Sequence, residues 1–262
     1  MRYRREPEPL RTLLAALALL AVATAYAAED QVFAAVFSAA RPGVALPAGW
    51  VPLQAANIKV RTRYTLVDDN VTTILRADSE RGASGLSRTL RINPSELPWL
   101  RWRWKISNII ENADLRTKDG DDFPARIYVM FDYPIEKLPF LERNKLRLAR
   151  TLFDPNLPAA TLCYVWDSKA AAETIASSAY TDRVKIIVIE SGASRVRQWV
   201  NIERNIASDF RAAFGEDAPP VSAIAVATDT DNTGTFATAH FGDISFNKHK
   251  VTALPTSEPA KP

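Results

Sequence analysis

The sequence predicts a mainly β fold, a two-sheet β-sandwich with two accessory helices. Three observations predict it. Several segments alternate polar and apolar residues with period 2, other short runs are apolar throughout, and only two segments carry helical periodicity. The 262 residues, 47% hydrophobic and 24% charged, suit one ordinary globular domain and exclude wholesale disorder.

The N-terminus is an element apart. MRYRRE leads into LLAALALLAVATAYAA, an apolar run from Leu13 to Ala28. That run is shorter than the roughly 20 residues a spanning helix needs. It reaches Ala25-Tyr26-Ala27, a small-x-small pattern, so residues 1–27 are expected to be a cleaved signal peptide, with a retained anchor as the alternative. Cys163 lies too far downstream to make a lipoprotein. The expected location is periplasmic or secreted, with no transmembrane segment after cleavage.

Strands fill the middle of the chain. NVTTILRAD begins the series. LRWRWKI sets Leu100, Trp102, Trp104 and Ile106 against Arg101, Arg103 and Lys105, the pattern of a half-buried strand. ARIYVMFDY sets Ile127, Val129 and Phe131 against Arg126, Tyr128, Met130 and Asp132. TLCYVW, VKIIVIE and VSAIAVAT are denser in apolar residues, as expected of strands covered on both faces. ATAHFGDISF reads as a closing strand. Of the two helices, LPFLERNKLRLARTLFD places Leu141, Leu148 and Leu152 on one stripe and is expected to cover a sheet edge or face. NIASDFRAAFG spaces Ile206, Phe210 and Phe214 four apart, with Asn205 as N-cap and Gly215 as stop. The domain is expected to occupy residues 28–246. NKHKVTALPTSEPAKP, residues 247–262, reads as a disordered tail.

Charge narrows the function classes. There are 33 basic and 30 acidic side chains; Arg2, Arg4, Arg5, Arg11, Glu6 and Glu8 fall in the first 27 residues, so the remainder carries 29 against 28. A body this close to neutral argues against a nucleic-acid binder, which needs surplus positive charge to displace counterions. One cysteine forbids an internal disulfide, and two histidines leave little for a zinc site. No metal and no cofactor are assigned.

Five blocks, GDDFPARIYVMF, LCYVW, YTDRVKIIVIESG, QWVNIERNIASDFRAAFGE and AIAVATDTDNTGTFATAHFGDISF, run in order from Gly120 to Phe246, within a likeness that extends from about Phe37 to Phe246. They resemble domain-of-unknown-function family 3047, a group of exported bacterial proteins with no established activity. The strand order and the ending HFGDISF are also similar to jelly-roll sandwiches of the carbohydrate-binding type, so the expected sandwich is jelly-roll-like. A fold does not fix a function.

Candidate chemistry is sparse. Asp121 and Asp122 in GDDFP read first as a turn capping backbone amides; an acid–base pair or calcium ligation are the alternatives. Asp229, Asp231 and Gly234 match the start of a calcium loop, but His240 stands where the bidentate glutamate belongs, so the loop reads as a tight connection. There is no G-x-S-x-G elbow, Cys163 sits in an apolar run, and His240 reads as a structural histidine. No catalytic residue is assigned. Aromatic and charged residues of like parity are more suggestive: Arg103, Arg126, Tyr128, Trp199 and Glu203 are expected to share one sheet face, with Tyr164 and Trp166 on a common side of their own strand. Such a face suits a glycan, with an aromatic platform against sugar C–H groups and charged side chains on the hydroxyls. Three classes stay open: a non-catalytic glycan-binding protein of the envelope, an accessory or scaffold protein gripping an envelope protein, and a polysaccharide-acting enzyme using paired carboxylates.

Overall fold

The computed structural model describes residues 30–43, 45–53, 58–70, 72–152 and 157–251. The expected signal and residues 252–262 of the expected tail lie outside the described residues. Among the described residues the strands form two sheets of seven. The first runs β1 (Gln31–Ala35), β14 (Ile244–Asn247), β6 (Trp99–Ile106), β13 (Phe236–Phe241), β4 (Thr73–Glu80), β3 (Arg63–Asp68), and β11 (Val200–Asn205) pairs with the other side of β6. The second runs β2 (Val51–Leu53), β5 (Ala83–Ile92), β12 (Val221–Asp229), β7 (Ala125–Phe131), β8 (Ala160–Asp167), β10 (Thr181–Ser191), β9 (Ile175–Ser178). Every pairing is antiparallel except β8 with β10. The predicted sandwich is the fold that forms.

Parity places the core. Leu100, Trp102, Trp104 and Ile106 of β6 are buried and point at the second sheet. Trp102 meets Tyr164 with ring centroids 5.4 Å apart, and Trp104 meets Trp166 at 6.2 Å. Tyr164 and Trp166 do share a side, but it is the inner one, so they belong to the core and not to a ligand platform. β8 is buried along its whole length because the outer face of the second sheet is covered too. Leu115 and Phe123 pack there on Cys163, Val165, Ile186 and Val188. That environment pushes the Cys163 thiol up to about 12, leaving it inert.

The helices differ in how they use their apolar residues. α1 (Phe140–Leu152) lies in the connection from β7 to β8; α2 (Ile206–Phe214) follows β11 directly. The Asn205 side chain accepts from the Ser208 amide at 3.0 Å, and Gly215 closes α2 at φ +78, where a side chain would be strained. Ile206 and Phe210 are buried, and Phe210 touches Phe131 at 4.6 Å. In α1, by contrast, Leu141 and Leu148 face solvent. These two leucines of the stripe expected to cover the sheet point away from it, because Glu142, Arg143, Leu146 and Arg150 take the inward positions; the Leu152 side chain lies outside the described residues.

Candidate functional site

The outer face of the first sheet is built from the odd residues of β6. Because Trp102 and Trp104 must be buried, Arg101, Arg103 and Lys105 point outward, beside Asn201 and Glu203 of β11 and His240 of β13. Trp199, immediately before β11, lies over Arg103 at 4.4 Å and Lys105 at 4.8 Å. Its indole Nε1–H donates to Asp69 Oδ2 at 2.6 Å, and Lys105 donates to Asp69 Oδ1 at 3.0 Å. Burial works against the Asp69 charge, but these two donors hold its carboxyl below the usual range. Burial, then the charges of Lys105 and Arg76, press His240 below its ordinary value, so the imidazole beside Trp199 is neutral at pH 7. Gly242 lets Arg103 lie flat: a Cβ there would stand 2.5 Å from Arg103 Cγ.

An open cleft of about 580 Å³ runs beside the Arg103 that braces Trp199, lined by Ser38, Thr72, Arg101, Arg103, Asn201, Glu203 and neighbours including Asp243 and Ser245. Its carboxylates are held in place. Glu203 accepts from Arg101 Nε at 2.7 Å and from the Val251 amide at 2.8 Å. Asp243 accepts from the Ser38 amide at 2.9 Å and its hydroxyl at 2.5 Å. The chain from Lys248 to Val251 follows this face, with the His249 carbonyl accepting from Arg101 and Lys250 over the Trp99 ring. The cleft thus sets fixed donors and acceptors beside apolar surface from Trp102, Ile202 and Val251, with the Trp199 indole against the Arg103 that lines it.

Arg126 and Tyr128 are elsewhere. They lie on β7, on the outer face of the second sheet, so the five expected residues divide into Arg103, Trp199 and Glu203 on one side of the sandwich and Arg126 and Tyr128 on the other. A groove holding both Trp199 and Tyr128 does not exist. Parity orders residues within a strand but is silent on which strands are neighbours. Arg126 is buried and donates to both oxygens of Asp229, through Nε at 2.7 Å and through Nη2, to the Asp121 carbonyl, and to the Tyr128 hydroxyl at 3.2 Å. Burial opposes its charge, but Asp229, Tyr128 and Asp121 more than offset this and hold the guanidinium well above its ordinary pKa.

This knot brings the two acidic loops together. Ligand oxygens of Asp122, Asp229 and Asp231 lie within 4.8 Å of one another. Two of the three already have protein donors: Arg126 and the Phe123 amide on Asp229, the Asn232 amide at 3.3 Å and the Thr233 amide and hydroxyl, each at 2.6 Å, on Asp122. The guanidinium pairs with Asp229 of this group and with Asp121 beside it. Asp122 caps the turn after β12, the amide-capping role expected of the Gly-Asp-Asp sequence. Burial, opposed by Arg126 and reinforced by Asp122 and Asp121, pushes Asp229 up to about 7. Burial likewise raises Asp121 and Asp231.

Sequence reasoning missed Asp69 and Asp243. Asp69 sits in the β3–β4 turn, 130 residues from Trp199, and only the pairing of β3, β4, β13, β6 and β11 carries it there. Nothing in VDDN marks it out from any other polar turn.

Together these features define a jelly-roll-like β-sandwich with one open polar, aromatic-bearing face and one sealed face. The chain belongs to the DUF3047 family, proteins of unknown function, whose pattern it matches over residues 48–245. No curated protein matches the sequence. Among solved structures, it is similar to the family 11 carbohydrate-binding module of the cellulosomal cellulase Lic26A-Cel5E of Clostridium thermocellum. The identity is 9%, the match covers 86% of this chain and 98% of that one, and the TM-score is 0.37. It is also similar to a meso-active thermostable cellulase derived from Cel12A of Rhodothermus marinus, at 11% identity, covering 75% of this chain and 99% of that one, TM-score 0.34.

Proposed function

We propose that this is an exported, non-catalytic binding protein of the bacterial envelope that takes a glycan on the outer face of its first sheet. The observation that carries the reading is Trp199, braced by Lys105, Asp69 and the Arg103 that lines the open cleft. A half-buried indole fixed in orientation can meet the C–H face of a sugar ring. Arg103, Asn201 and the cleft hydroxyls can exchange hydrogen bonds with its hydroxyl groups. Glu203 and Asp243 support binding over catalysis, since each is committed to fixed protein donors instead of standing ready to take and return a proton. Export rests on the N-terminal residues alone.

A glycan array followed by calorimetry tests the site. Trp199→Ala is expected to weaken binding by about 2 kcal/mol, the loss typical of a central aromatic anchor. Tyr128→Phe, on the sealed face, should leave binding unchanged. Equal affinity of Trp199→Ala and wild type for every glycan bound would end the proposal.

A further inference from the structure

α1 is inside out. At about 100° per residue, Glu142, Leu146, Arg150 and Arg143 share one arc, and this arc faces the body. Glu142 approaches Arg183 at 3.9 Å, Arg150 donates to the Leu157 carbonyl at 2.9 Å, and Leu146 packs against the core. The opposite arc carries Phe140, Leu141 and Leu148, which are 67%, 71% and 59% exposed. Asn144 and Thr151 lie between them, and Lys145 and Arg147 stand at the two edges, roughly 160° apart. The exposed arc of the helix contains no acidic side chain; Glu136 and Lys137, just ahead of it, cancel. Folding has half-buried charged groups and left large apolar groups exposed, which costs stability unless something else covers them.

We propose that α1 seats the domain on a bilayer surface containing anionic phospholipid headgroups. Phe140, Leu141 and Leu148 enter the headgroup–acyl boundary, and Lys145 and Arg147 meet phosphates along the two margins, their methylene stems lying against the lipid. Charge selects this occupant. In a symmetric pair of helices from two copies, the basic edges would face each other and repel, whereas an anionic surface complements both at once. A helix of 13 residues, about 20 Å long, lies on such a surface and does not cross it; no helix among the described residues is long and apolar enough to span a membrane. The inference is independent of the glycan face.

Every described strand lies within residues 30–251, so a chain beginning at Ala28 retains all of them and removes the apolar N-terminus from the assay. Sedimentation would compare vesicles of phosphatidylcholine alone with vesicles carrying roughly a quarter phosphatidylglycerol. The protein should partition at least about tenfold better onto the anionic vesicles, less so as salt rises. Leu141→Glu with Leu148→Glu should reverse that gain with an unchanged unfolding midpoint, and Lys145→Glu with Arg147→Glu should remove its salt dependence. Three results would overturn the proposal: no partitioning, partitioning equal in wild type and the Leu141→Glu/Leu148→Glu variant, or a wild-type dimer that these substitutions dissolve.

Discussion

The two outer faces of the sandwich carry the same kinds of residue and do opposite things. On the first sheet, Arg103, Lys105, Asp69 and Trp199 form a braced but half-exposed group beside an open cleft. On the second, Arg126, Asp229, Asp121 and Tyr128 form a group sealed under Phe123 and Leu115. Composition does not separate them. Cover does: where solvent screens the charges they are cheap to keep and free to meet a ligand, and where it is excluded each must be matched by a partner.

The difference predicts a ranking of effects. The largest belongs to Arg126→Met, which removes the buried cation paired with Asp121 and Asp229. Leaving buried carboxylates unpaired should cost about 3–5 kcal/mol, read by urea denaturation. A loss below about 1 kcal/mol would mean the knot is as well solvated as the open face.

Next is the pH dependence of the same knot. Asp229 has a folded pKa of about 7 against 3.8 for the ordinary group, so between these values the folded state holds a proton that the unfolded state has released. Its contribution to stability is therefore complete below the unfolded value and is lost as pH rises through about 7. Denaturation should show greater stability at about pH 5 than at about pH 8, by on the order of a few kcal/mol. Asp121→Asn, which removes one of the repelling charges, should flatten the profile. Stability that climbs over this interval would show that Arg126 neutralises Asp229 fully.

How much of this the chain announces in advance depends on range. The inward turn of Trp102 and Trp104 and the caps Asn205 and Gly215 follow from residues close in sequence. Strand adjacency does not. Arg126 and Arg103 each occupy the polar parity of an alternating strand, and only the pairing of β11 with β6 and of β7 with β8 and β12 assigns one to the open face and the other to the sealed one. The orientation of α1 was hidden for the same reason. Its leucine stripe points to burial, but Arg183 and the Leu157 carbonyl, beyond the helix, draw Glu142 and Arg150 inward instead.

The smallest effect is the most specific. Gly242 joins β13 to β14 and its amide donates to the Arg103 carbonyl at 2.9 Å. A methyl group there would fall 2.5 Å from Arg103 Cγ and 2.6 Å from Nε, so the side chain would have to swing off the Trp199 ring. The guanidinium–indole contact at a half-exposed position is worth about 0.5–1 kcal/mol, and Lys105 stays beneath the ring. Gly242→Ala and Arg103→Ala should therefore each lower stability by no more than about 1 kcal/mol, while shifting the Trp199 indole N–H resonance in the same direction. The two changes act through one contact, so they should not add: in an Arg103→Ala background, Gly242→Ala should be nearly silent. Full additivity would mean that glycine is needed at 242 for its own backbone, and that Arg103 owes its place over Trp199 to something other than the space beside it.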